Sequence, residues 1–209
     1  MTALLEVALS WLLRNAKGHD ARSFYARPAF ADAGLADPSI TVTSPDCGPS
    51  GSRLGAQHMH DGGGRFPALA WSAPPDLAAR VREWLLVSED PDGPLPTPIC
   101  HGIYHSIPAS KTSVSAADFA VADTHTGATA GGFRFGASRR PGTPYIPPRP
   151  LLNHGPHRYF YIVVALGEEL GAALEGCRVE EVTRDRVAEE IRGKVLGWGM
   201  WVGVAERKW

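Results

Sequence analysis

Two proline-rich turns carry most of the ionisable groups in this chain that could do chemistry. The first is Asp90-Pro91-Asp92-Gly93-Pro94, followed by Pro98 and His101. The second is Pro147-Pro148-Arg149-Pro150, followed by Gly155-Pro156-His157-Arg158-Tyr159. Proline fixes the backbone, so a neighbouring polar group is held at low entropic cost. Together the turns offer carboxylates, imidazoles, a phenol and a guanidinium at strand ends. A carboxylate can orient an imidazole, and an imidazole can act as general acid or base. An imidazole pair can also donate to a phosphate or carboxylate, more strongly once protonated near pH ~6.5. Side chains alternate along a strand, so His157 and Tyr159 share a face while Arg158 takes the other and pairs structurally, with Asp92 as the candidate partner.

Other reactive residues have blander readings. His58-x-His60-Asp61 has metal-ligand spacing but lies in a glycine-rich loop, so a solvated loop is expected and no metal site. On a regular strand His101 and His105 share a face but stand about 13 Å apart at ~3.3 Å per residue, too far to chelate one ion. His154 is a further histidine near the second turn. Cys100 reads as a small buried apolar residue, Trp198 and Trp201 as core, and Tyr104 as lining either face. Cys47, Cys100 and Cys177 are widely spaced and odd in number, which implies neither a disulfide framework nor a metal knuckle and fits a cytoplasmic location.

The elements that must position these groups are mostly strands. Gly and Pro make up 41 of 209 residues (23 and 18), about 20% against a usual ~12%, which excludes a helix bundle. The spans 40–43, 83–88, 102–107, 132–135, 158–166 and 198–205 read as strands. The span 158–166 is apolar almost throughout, so it is expected to be central and covered on both faces. Residues 168–174 and 182–195 read as helices, and 44–67 as a long loop. At the N-terminus, from Met1 to Leu13, the residues Leu4, Leu5, Ala8, Trp11 and Leu12 follow helical spacing. They predict an amphipathic helix packed on the body, with membrane-surface attachment as the alternative. No apolar run reaches the ~18 residues of a membrane span. Lys+Arg of 21 against Asp+Glu of 22 gives a net charge of -1, which argues against nucleic acid as a partner. One domain over 1–209 is expected, mainly β with peripheral helices.

The order of these motifs resembles the phosphatidylethanolamine-binding protein family, which includes the Raf kinase inhibitor proteins. Asp90-Pro91-Asp92-Gly93-Pro94 matches its Asp-Pro-Asp-x-Pro, and His101 with Ile107-Pro108 matches its pocket histidine and the following strand end. Pro148-Arg149-Pro150 partly matches its Gly-Pro-x-Pro-Pro, and Gly155-Pro156-His157-Arg158-Tyr159 its Gly-x-His-Arg-Tyr. Pro67-Ala68-Leu69-Ala70-Trp71 and the segment from Gly197-Trp198-Gly199 to Arg207 fit as well. The resemblance covers about 40–207 and leaves 1–39 as an N-terminal helical and loop extension.

The resemblance implies a large antiparallel sheet packed on a smaller one, with N- and C-terminal helices. It also implies a small anion pocket lined by Asp90, His101, Pro148, His157 and Tyr159. Four positions depart from the pattern: Gly102 replaces a Trp, Pro147 a Gly, Leu151 a Pro and Phe66 a Ser. Gly102, at the pocket rim, is expected to reshape the cavity and border the ligand. The first expectation is therefore a non-catalytic binder of a small anion or polar head group. The alternative is a cofactor-independent cyclase or isomerase on an apolar, polyketide-like substrate. In that case His101 or His157 is the acid or base, Asp90 orients an imidazole, and Tyr159 donates to an oxyanion. A protein-docking role without a meaningful ligand ranks last.

Overall fold

The computed structural model describes residues 2–209; Met1 lies outside the described residues. Its strands are β1 (Thr41–Thr43), β2 (Leu69–Ser72), β3 (Glu83–Asp90), β4 (Ile99–Pro108), β5 (Ser113–Val114), β6 (Val121–Asp123), β7 (Ala128–Thr129), β8 (Arg134–Phe135), β9 (His157–Leu166) and β10 (Val195–Ala205). The helices are α1 (Ala3–Leu12), α2 (Pro28–Asp32), α3 (Pro75–Ala78), α4 (Gly171–Leu174) and α5 (Arg184–Glu190). Over the described residues the strands form a seven-stranded sheet, β10-β9-β3-β4-β8-β7-β6, and a three-stranded sheet, β1-β2-β5. All pairings between strands are antiparallel.

Alternation along β3 and β9 builds two cores. Trp84 and Leu86 of β3, with Tyr159, Tyr161 and Val163 of β9, face the small sheet and meet Val42, Leu69 and Trp71. Leu85 and Val87, with Phe160, Ile162 and Val164, face the other way, toward Phe24, Phe30, Val187 and Ile191. Beyond His157 and Arg158 strand β9 is a continuous apolar run, because it lies between β10 and β3 with both faces covered.

Strand β4 is not regular. Its pairing with β3 slips between Ser88 and Glu89, where Gly102 and Cys100 are the partners and His101 is the extra residue. A second slip falls between Trp84 and Leu86, opposite His105 and Ser106, and Ser106 has φ 57. A bulge shifts the side-chain alternation by one. His101 accordingly turns inward onto the Tyr159 ring, whereas His105 lies by Arg134, Glu169 and Leu174 on the far face. The expectation of one shared face fails for this reason. Burial at its own site pushes the His105 imidazole down to about 4.

Two helices are shorter than the sequence implies. The span 168–174 is helical only over α4. The span 182–195 is helical over α5, where Thr183 Oγ1 accepts from the Arg186 amide at 3.2 Å. Gly193 at φ 75 turns the chain into β10.

The N-terminal helix forms, but it docks in the opposite sense to the prediction. Leu4, Leu5, Trp11 and Leu12 are 53–71% exposed, while Glu6 and Ser10 are buried. The surface beneath α1 offers donors rather than apolar area. Glu6 Oε1 accepts from the Leu152 amide at 3.0 Å and from Arg207 at 2.6 Å. Helical periodicity defines the stripe but not which stripe meets the body. No helix among the described residues is long and apolar enough to cross a membrane.

Candidate functional site

The site forms where β3, β4 and β9 end together. Asp90 closes β3, the bulged His101 sits near the start of β4, and His157 and Tyr159 open β9. The fold thus brings together four of the residues singled out from sequence. All four are buried, between 1% and 4% exposed.

Hydrogen bonds fix most of the protons here. His101 Nδ1 meets the Ile146 carbonyl. A carbonyl only accepts, so Nδ1 carries the hydrogen and Nε2 carries the lone pair. That Nε2 is buried and has no hydrogen-bond partner among the described residues. Burial lowers the His101 pKa, against an opposing pull from Asp90, and favours the neutral ring. The His101 ring stands edge-on to Tyr159, centroids 5.1 Å apart. Burial and the adjacent Asp90 charge push the Tyr159 phenol well above its usual range, so it stays a hydroxyl.

A second set of bonds runs from Asp90 to the N-terminal segment. Asp90 Oδ2 lies 2.9 Å from His157 Nδ1, His157 Nε2 lies 2.7 Å from His154 Nδ1, and His154 Nε2 lies 2.8 Å from the Leu13 carbonyl. The proton inventory follows from its outer end. Leu13 can only accept, so His154 Nε2 donates and its Nδ1 accepts from His157 Nε2–H. The Asp90–His157 link must then hold one further proton, whichever of its two atoms carries it. His154 was merely one of several extra histidines in the sequence. Its role depends on Leu13, which is remote in sequence and carries no motif.

The turn below is pinned for structural reasons. Burial alone would raise the Asp92 carboxyl, but hydrogen bonds from the Arg158 side chain and amide hold it below its usual range. Arg158 also reaches Asp20 at 2.7–2.8 Å. Asp92 accepts from the Gly18 amide as well, and Pro91 from His19. Residues 13–22 are thereby strapped to the two turns that carry Asp92 and His154 and to Arg158.

Pro148 is buried, and its carbonyl accepts from the His60 amide at 2.9 Å. A Cβ at Gly102 would lie 2.3 Å from the Tyr104 hydroxyl, which donates to the Pro144 carbonyl. The space left by the missing side chain is filled by Tyr104. Phe66 packs among Tyr104, Phe119, Tyr145 and Tyr161. Gly102 and Phe66 therefore belong to one aromatic cluster beside the His101–Tyr159 pair.

Comparison with known proteins gives the family and the fold. The family model described as "Phosphatidylethanolamine-binding protein" matches residues 44–206. The chain is 40% identical to phomoidride biosynthesis cluster protein B of Talaromyces stipitatus, over 98% of this chain and 82% of that protein. It is 39% identical to the protein of the same name from a second fungus, over 99% of this chain and 96% of that one. Among solved structures, Escherichia coli YbcL is similar with TM-score 0.64 at 22% identity, covering 80% of this chain and 98% of YbcL. A phosphatidylethanolamine-binding protein homolog from Chlamydia trachomatis is similar with TM-score 0.63 at 22% identity, covering 82% and 99%.

Proposed function

Because the chain belongs to the phosphatidylethanolamine-binding protein family, we propose that it uses the family-type pocket not as an anion receptor but as a cofactor-independent cyclase or isomerase site in fungal small-molecule biosynthesis. Two relatives at 39–40% identity, aligned over nearly the whole chain, are named for a biosynthesis cluster. The buried, unpartnered Nε2 of His101 is the observation that carries the chemistry. It is a buried neutral base beside the Tyr159 ring. Tyr159 is the neighbouring hydroxyl donor for a developing oxyanion, and Asp90–His157–His154 is a hydrogen-bonded series along which a proton can pass. The substrate reaches these groups when the strap over residues 13–22 lifts. Three unpaired thiols fit a reducing, cytoplasmic setting.

The test is functional replacement. A Talaromyces stipitatus strain lacking its own phomoidride biosynthesis cluster protein B is given this chain or a site variant, and the phomoidride product is measured. Restoration by the natural chain, lost with His101→Ala, supports the reading. Full restoration by His101→Ala rules out base catalysis at His101.

The anion-binding reading makes a different demand. Both ring nitrogens of His157 are already engaged, and His101 Nε2 carries a lone pair rather than a proton. Inorganic phosphate titrated calorimetrically at pH 6 is expected to give no heat at millimolar concentration with the full chain. Deleting residues 2–17 removes the Leu13 carbonyl and frees His154 to turn away from His157. Phosphate binding is expected to appear in that truncated form. Equal binding by both forms would show that the strap does not close the pocket.

A further inference from the structure

The long loop at 44–67 contains a second cluster, separate from the pocket. Asp46, Cys47 and His58 present a carboxylate oxygen, a thiol sulfur and an imidazole nitrogen within 4.8 Å of one another. Cys47 Sγ lies 3.4 Å from His58 Nε2, and Asp46 Oδ2 lies 3.9 Å from the same nitrogen. From these groups we propose a binding site for a borderline-soft divalent cation of the zinc type, held by Cys47 Sγ, His58 Nε2 and an Asp46 oxygen, with water in the fourth position.

Geometry supports this before any metal is added. A tetrahedral zinc with bonds of about 2.3 Å to sulfur and about 2.0 Å to nitrogen sets those two atoms about 3.5 Å apart. The observed 3.4 Å needs almost no movement. The carboxylate oxygen, 3.9 Å from His58 Nε2, must close to about 3.3 Å, and Asp46, the exposed member of the three, is the residue that moves.

The supporting contacts are also in place. His58 is buried, and its Nδ1 donates to the Arg65 carbonyl at 3.0 Å. That bond puts the ring lone pair on Nε2, toward Cys47, as metal-bound histidines require. Asp46 is held by Ser44 Oγ at 2.9 Å and the Ala68 amide at 3.1 Å. Trp201 Nε1 donates to the Gly48 carbonyl at 3.0 Å and pins the turn to the core. Local spacing draws attention to His58-x-His60-Asp61, but His60 pairs with Asp61 at the surface while His58 turns inward to Cys47. The cation would clip the base of a loop that otherwise has little regular structure. Cys47 enters as thiolate, so one thiol proton passes to solvent per ion bound.

Cobalt(II) tests this directly. The full chain, treated with chelator and dialysed, is titrated with cobalt(II). A near-ultraviolet thiolate-to-cobalt charge-transfer band is expected, saturating at one equivalent and displaced by zinc(II). Zinc(II) is also expected to protect Cys47 from iodoacetamide, read by peptide mass, while Cys100 and Cys177 are unaffected. Cys47→Ser should abolish the band. Asp46→Asn, a milder change at an exposed residue, should lower cobalt affinity at least tenfold. No band at stoichiometric cobalt, a band that survives in Cys47→Ser, or unchanged Cys47 alkylation with zinc would each overturn the proposal. The alkylation result needs no variant and stands even if Cys47→Ser fails to fold.

Discussion

Arg184→Met is expected to destabilise the protein by about 3–5 kcal/mol near neutral pH, because it strands a buried carboxylate. Glu89 lies on the helix-covered face of β3, and its side chain is fully buried. Its oxygens are satisfied by two groups: the Phe24 amide at 2.8 Å and the Arg184 guanidinium at 2.8 Å. Methionine keeps the aliphatic reach of arginine, so the loss reports the charge rather than a cavity. In a domain of this size, 1 kcal/mol moves the melting temperature by about 2–4 °C, giving a fall of roughly 6–20 °C by differential scanning calorimetry. Adding Glu89→Gln should recover most of it, since the amide oxygen still accepts from Phe24 and no charge remains. A loss under about 1 kcal/mol for Arg184→Met would mean that Glu89 finds another partner.

The pH dependence has a definite sign. Burial pushes the Glu89 carboxyl above its usual range, with Arg184 opposing it. A carboxyl whose folded pKa is raised takes up a proton more readily folded than unfolded, so its destabilising effect shrinks as pH falls through the folded pKa toward the unfolded value. Removing Arg184 removes the opposing pull and raises the folded pKa further. The gap in melting temperature between natural chain and variant should therefore narrow from about pH 8 to about pH 5. A gap that widens on acidification would contradict this account of Glu89.

The contrast between what was legible in sequence and what was not follows the range of the interactions. Strand β9 was legible because burial on both faces leaves a continuous apolar run. Asp90, His101, His157 and Tyr159 were legible as an ordered motif set, and the predicted Arg158–Asp92 pair forms at 2.8 Å. The exposed stripe of α1 was not legible: Glu6 is buried because Leu152 and Arg207, far along the chain, supply donors. Nor was the placement of His101 and His105 on opposite faces, since each bulge is set by pairing with β3. His154 escaped for a similar reason, because its partner is a backbone carbonyl contributed by Leu13. Short-range pattern thus supplied the groups, and long-range contacts decided that His154 and His157 have both ring nitrogens engaged while His101 keeps Nε2 free.

That last point separates the two readings of the pocket. A base must be neutral, so product formation should hold level as pH falls from about 8 and decline only below the lowered pKa of His101, which lies under the ordinary 6.5. A receptor that needs cationic imidazoles would instead gain affinity over the same range. Cell-free extract from the Talaromyces stipitatus deletion strain, supplemented with purified protein, gives the profile by mass spectrometry of the product. His101→Ala is expected to lower conversion by about 10²–10⁴-fold, the usual contribution of a positioned general base. His157→Asn keeps a side chain that can face Asp90 but interrupts the series to His154, so a smaller loss with an altered pH profile is expected. Tyr159→Phe leaves the ring against His101 and removes only the hydroxyl, so its effect isolates oxyanion donation from packing. Melting curves must stay close to the natural chain for each comparison to count. If conversion rises toward acid pH, or His101→Ala turns over at the natural rate, the pocket does not work by base catalysis at His101. Closure of the substrate by shape alone would then be the mechanism left to test.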